Sequence, residues 1–213
     1  MHLSDSPTER STAATDLLLS SAALFGLCYL HASQPEGSWR IQLWSWPLGL
    51  IAASAGLGAL YHGLVMQERP RTLLWQALTF LLGMALAIFG AGATLDAFGF
   101  EAGRRSLPLW LAAGGAVFLV SRRCSGMFRV FIAFEGAVLA AALVGYTALA
   151  AAGALSGAAW IAAGVLLSAV AAALQAFKRA RFKWIWEFDH NGIFHLVQTA
   201  GLVVLTRGIA AGG

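Results

Sequence analysis

Apolar residues fall in seven long runs along the chain, separated by short stretches that carry most of its charge. Each run is near the ~20 residues that a helix needs to cross a bilayer. Helices are expected at about 14–32, 43–66, 72–99, 107–121, 127–149, 155–177 and 190–210. Asp16, just ahead of a leucine run, is expected to cap the first. Trp44, Trp46 and Pro47 suit the entry of the second, with tryptophan at headgroup level and proline in the first turn. Ala52–Ala59 offers a small-residue surface for close helix contact. The pattern predicts an all-α polytopic membrane protein, a single seven-transmembrane-helix bundle spanning 1–213.

Composition sharpens this picture. Of 213 residues, 59% are hydrophobic and 11% charged, against about 25% charged in a soluble domain. The N-terminal segment lacks the positive n-region and A-x-A-like cleavage site of a signal peptide, so the first run is expected to remain as a membrane helix. A pI near 9.6 could suggest nucleic acid, but the basic residues lie between apolar runs, where an anionic membrane face explains them. Cys28 and Cys124 show no metal-ligand spacing and read as packing residues.

Lys and Arg divide unevenly. Ten lie on the side of the N-terminus and loops 2–3, 4–5 and 6–7 (Lys178, Arg179, Arg181 and Lys183 among them), and four on the other. The positive-inside rule then places the N-terminus in the cytoplasm and the C-terminus outside.

The candidate chemistry concentrates in Trp184–Gln198, which holds His190, His195, Glu187, Asp189, Asn191 and Gln198. Ionisable groups entering a membrane segment are costly and point to function. His62, near the end of the second helix, lies roughly 6 Å inside its span, and Glu135 in the fifth lies roughly 9 Å inside, at 1.5 Å per residue. His195 reaches a similar depth from the same side. Asp96 belongs to the opposite end and reads as a surface or capping group. His190 and His195 are five positions apart, about 140° around an ideal helix. They can ligate together only through a non-helical entry or a π-bulge. Asp189 alternatively caps the last helix.

A seven-helix bundle with His62 closing the second helix and His190-Asn-Gly-Ile-Phe-His195 opening the seventh resembles the CREST superfamily. That group holds the alkaline ceramidases and the progestin and adipoQ receptors. The family pattern has Ser-x3-His in the second helix, an Asp early in the third and His-x3-His in the seventh. Here Gly58 stands where the Ser would be, the third helix opens without an Asp, and the first histidine of the last pair is displaced by one residue. The resemblance implies an intramembrane zinc-dependent hydrolase acting on a lipid amide or ester. His62, His190 and His195 would be zinc ligands, Glu135 or Asp189 the base, and Tyr61 or Asn191 would steady the oxyanion. The alternatives are a transporter or proton relay using Glu135 and the histidines, or a non-catalytic membrane receptor or scaffold.

Overall fold

Ser6-Pro7-Thr8-Glu9 combines a capping residue, a proline at the first helical position and an acidic residue in the first turn, and the first helix starts there. In the computed structural model, which describes residues 2–33, 38–123, 128–177, 180–183 and 185–212, α1 spans Pro7–Ser33. The Ser6 hydroxyl accepts from the Glu9 amide at 3.4 Å. This corrects the expected start near residue 14. Asp16 is therefore not a cap: it lies more than two turns inside α1 and is buried.

Six further helices follow: α2 Trp39–Gly63, α3 Glu68–Phe98, α4 Phe100–Arg123, α5 Phe128–Ala151, α6 Ala158–Ala176 and α7 His190–Ala211. Cys124, Lys178, Arg179 and Trp184 lie outside the described residues. Two short antiparallel pairs sit at one end. β1 (His2–Leu3) joins β2 (Leu64–Val65), and β3 (Phe182–Lys183) joins β4 (Glu187–Phe188).

Among the described residues, six helices are long and apolar enough to cross a membrane: α1, α2, α3, α6, α7 and Arg129–Ala151 of α5. The all-helical class and the membrane character follow from this. α4 is long enough, but Glu101, Arg104 and Arg105 occupy its first turns and lower its apolarity. α3, at 31 residues, is about 46 Å long, well over a ~30 Å hydrocarbon core, so it must tilt or protrude.

The contacts fix the helix directions. Glu9, Asp16 and Ser20 of α1 meet His62, Gly58 and Ala52 of α2 in reverse order, so the pair is antiparallel. α3 packs antiparallel to α4, with Gly83 against Gly114 and Leu95 against Gly103. α1 and α7 run parallel, since Thr12 meets Asp189 while Gly26 meets Thr206. Their N-termini share one end of the bundle.

Lipid tails are as apolar as leucine, so close packing and interhelical hydrogen bonds hold such a bundle together. The α6–α7 contact shows this directly. A Cβ on Gly164 would lie 2.6 Å from the Leu205 amide nitrogen, and one on Gly208 would lie 2.7 Å from that of Ile161. Only glycine permits backbones that close. Gly157, at φ 81°, opens α6 in the left-handed region and also abuts the Gly208 carbonyl.

The end away from the paired strands is locked by charge. Arg40 Nε and Nη2 donate to Asp96 Oδ1 and Oδ2 at 2.6 and 3.0 Å, and Tyr146 donates to Oδ2 at 2.9 Å. Arg40 Nη1 also donates to the Ile209 carbonyl near the end of α7, at 2.8 Å. The Asp96 side chain is 1% exposed, which corrects its reading as a surface or capping group. One bidentate pair ties α2, α3, α5 and α7 together.

Candidate functional site

The opposite end carries the polar residues, and α1 supplies more of them than the sequence reading anticipated. Ser11, Thr12, Thr15 and Asp16 are all buried and occupy one side of α1. Residues at i, i+4 and i+5 spacing fall near one face of a helix, and this face is turned to α7. Ser11 Oγ donates to the Glu187 carbonyl at 2.6 Å, and Thr12 Oγ1 donates to Asp189 Oδ1 at 3.2 Å. Deeper in, Thr15 Oγ1 lies 3.3 Å from His195 Nδ1, and Asp16 Oδ1 lies 3.3 Å from His195 Nε2.

The Thr15 hydroxyl has a single proton, which goes to the Thr12 carbonyl at 2.9 Å. Thr15 Oγ1 is then an acceptor toward His195, so Nδ1 carries the ring hydrogen. Nε2 is left as a lone pair facing the Asp16 carboxylate. Asp16 Oδ2 is fully enclosed and has no hydrogen-bond partner among the described residues. A buried carboxylate oxygen without a donor is costly and calls for an explanation.

α2 closes the third side. A Cβ on Gly58 would lie 2.8 Å from both Asp16 carboxylate oxygens. The position where a serine was sought is therefore a glycine because the Asp16 carboxylate fills that space. His62, one turn further along α2, shares this face. Its Nδ1 donates to Glu9 Oε2 at 2.8 Å. The structure thus brings His62 and His195 together around Asp16, a residue the sequence reading had given only a capping role. The available signal was the Ser11-Thr12-x2-Thr15-Asp16 stripe at helical spacing.

The family is now shown by comparison. A model described as a family of unknown function, DUF6962, matches residues 11–213. The chain belongs to that family. No curated protein and no solved structure matches it. The family's match begins at Ser11, so it takes in the α1 polar stripe as well as His62 and His195.

The other anticipated residues stand apart from the cluster. α7 is a regular helix from His190 onward, with Asp189 as its N-cap accepting from the Asn191 and Gly192 amides. The non-helical or bulged entry that His190 would need is absent. His190 stays beside Asp189, with Nδ1 3.9 Å from Oδ2. Among the described residues no three His, Cys, Asp or Glu side chains stand in a metal-holding group, His62, His190 and His195 included. Asp189 is occupied as a cap and as the acceptor from Thr12. Tyr61 stacks near Trp75 and under the Arg71 guanidinium, 4.6 Å from its ring centre. The Asn191 side chain makes no hydrogen bond among the described residues. Glu135 likewise has no hydrogen-bond or ion-pair partner there, and α5 packs chiefly against α6, α3 and α4.

Proposed function

We propose that this chain is an integral membrane hydrolase acting on a lipid amide or ester, with its reacting centre at Asp16, His195 and His62. The observation that carries the reading is the bare Oδ2 of Asp16, enclosed among α1, α2 and α7 beside two histidines. A carboxylate oxygen with no donor is a ready base for a water brought in with substrate. Asp16 Oδ2 takes one proton from that water as its oxygen attacks the acyl carbonyl. Asp16 then returns the proton to the leaving amine or alkoxide. His195, held by Thr15, walls in the carboxylate on the α7 side. Glu135 and Asp189 take no part.

In this reading α4 completes seven spans, the alternating helix directions set the passes, and the uneven Lys and Arg place the cluster near the cytoplasmic face. The acyl chain enters from the bilayer. The test is turnover of N-acyl and O-acyl lipids by purified protein in nanodiscs. Wild type is expected to release fatty acid, and Asp16→Asn and His195→Ala are expected to fall to background. No release from either lipid class, or release untouched by Asp16→Asn, overturns the proposal.

A second reading has one observation in its favour. The 3.3 Å contact of Asp16 Oδ1 with His195 Nε2 would also suit a proton shared within a relay. Proton-dependent flux in sealed vesicles, lost in Asp16→Asn, would select it.

A further inference from the structure

We propose that a groove between α2 and α4 binds one anionic phospholipid, its phosphate on Arg104 and Arg105 and one acyl chain laid over α3. The site lies at the Arg40–Asp96 end of the bundle and does not rest on the hydrolase reading. α2 runs antiparallel to α3, since Trp44 meets Gly92 while Ser54 meets the Leu78 carbonyl. α4 does the same, so α2 and α4 both begin at this end. Trp39 and Phe100, in their first turns, pack edge to face at 4.9 Å. The groove beside them has a volume of about 340 Å³, within the ~300–1,000 Å³ of small-molecule pockets.

The lining follows helical spacing. Trp39, Gln42, Leu43 and Trp46 stand at i, i+3, i+4 and i+7 on α2, and Leu107 and Leu111 at i and i+4 on α4. Ile88 is the contribution of α3. Gln42 alone brings an amide; the rest is aliphatic or aromatic surface that suits an acyl chain, with Trp39 at headgroup level. Arg104 lies three positions before Leu107 and seven before Leu111, so it continues the lined face of α4 toward the membrane surface. Arg40 meets Asp96 and Gly103 meets Leu95, which sets Arg104 and Gln42 within about one turn of the same depth. Arg104 and Arg105 are exposed, and both bond the single Glu101 carboxylate, at 3.1 and 3.3 Å. Two guanidiniums on one carboxylate leave net positive charge at the mouth. Exposed ion pairs contribute little, so a phosphate recruits both arginines at small cost, and the guanidinium fork suits its oxygens. Charge and amide at the mouth, then hydrocarbon, repeat the order of a phospholipid's phosphate, ester and acyl chain. Free phosphate would use only the mouth and leave the apolar walls bare.

The test is native mass spectrometry of the full-length protein, delipidated in detergent and titrated with phosphatidylglycerol or with phosphatidylcholine of the same acyl chains. Wild type is expected to retain one phosphatidylglycerol per chain and to hold phosphatidylcholine more weakly. Arg104→Gln with Arg105→Gln should weaken phosphatidylglycerol roughly 10–30-fold and narrow the gap between the two lipids. These side chains are exposed, so the double variant should melt as wild type does. Arg122→Gln with Arg123→Gln, at the far end of α4, should bind as wild type does. Leu111→Trp, which fills the groove, should weaken both lipids. Equal retention of the two lipids by wild type, or equal losses from the near and distant arginine pairs, overturns the proposal. So does glycerol 3-phosphate that competes as well as the intact lipid, because the apolar walls would then be idle. A dimer that Leu111→Trp abolishes and phosphatidylglycerol leaves intact also overturns it, since a second copy would fill the groove.

Discussion

Gly58 and Asp16 are complementary in shape: the missing Cβ of one leaves the space that both carboxylate oxygens of the other occupy, at 2.8 Å from where that atom would be. The Asp16 carboxylate is short, and His195 and α2 hold it from two sides. Gly58→Ala should therefore displace it, with an overpacking cost of about 1–3 kcal/mol. A lower melting temperature and reduced lipid turnover are the expected pair of results. A Gly58→Ala protein that melts and turns over lipid as wild type does would show that Asp16 does not need this space.

Arg40 and Asp96 should behave as a structural lock. Removing one partner of a buried ion pair leaves an uncompensated charge, so Arg40→Ala should lose about 3–5 kcal/mol. The double replacement Arg40→Met with Asp96→Leu should lose less than Arg40→Ala alone, because neither charge remains. Unfolding in mixed detergent micelles measures both. The lock lies about 33 Å along α2 from His62, at 1.5 Å per residue, so lipid turnover by the folded fraction should be unchanged.

The glycines should divide by what surrounds them. Gly164→Ala and Gly208→Ala push a methyl against backbone that cannot yield, so both should lower the melting temperature clearly. A Cβ on Gly136 or Gly145 meets nothing within 4 Å. Alanine there should be neutral or stabilise by up to about 1 kcal/mol. Equal effects at the two kinds of site would contradict the packed α6–α7 contact.

Asp189 caps α7 and accepts from Thr12. Asp189→Ala should cost about 1 kcal/mol and speed amide exchange at Asn191 and Gly192. Asp189→Asn should recover most of the loss, since an amide oxygen still accepts. A catalytic base would not be rescued this way, so lipid turnover by Asp189→Asn separates the two roles.

The proposed orientation has a direct check. A reporter fused after Gly213 should be active only outside the cytoplasm if seven helices cross. Cytoplasmic activity would leave α4 out of the bilayer or reverse the chain.

Much of this protein is legible without tertiary structure. Runs of apolar residues of membrane length set six of the helices, because a backbone in lipid must satisfy its own hydrogen bonds and the helix does so within one segment. Some ends came out within a few residues, as at Gly63 and His190, whereas α4, expected to start near 107, begins at Phe100 and runs through Glu101, Arg104 and Arg105. His62 and His195 could be placed at one level from helix rise and alternation alone. The start of α1 was also written in Ser6-Pro7-Thr8-Glu9, but a leucine run beginning at Leu17 drew the boundary inward and made Asp16 look like a cap.

Other features depend on rotation about each helix axis, which composition and depth do not determine. Counting residues puts Glu135 near the level of the histidines, yet the packing of α5 against α6, α3 and α4 gives it no bonded partner in the cluster. The same count makes Asp96 a surface group until α2 and α5 present Arg40 and Tyr146 to it. Gly58 reads as a missing serine until the antiparallel packing of α1 and α2 brings Asp16 into its place. Depth along a helix is linear in sequence, whereas the neighbour a side chain meets depends on which face the packing turns inward. In this chain that choice is made by glycines on α2, α6 and α7 that let backbones and one carboxylate approach to contact distance.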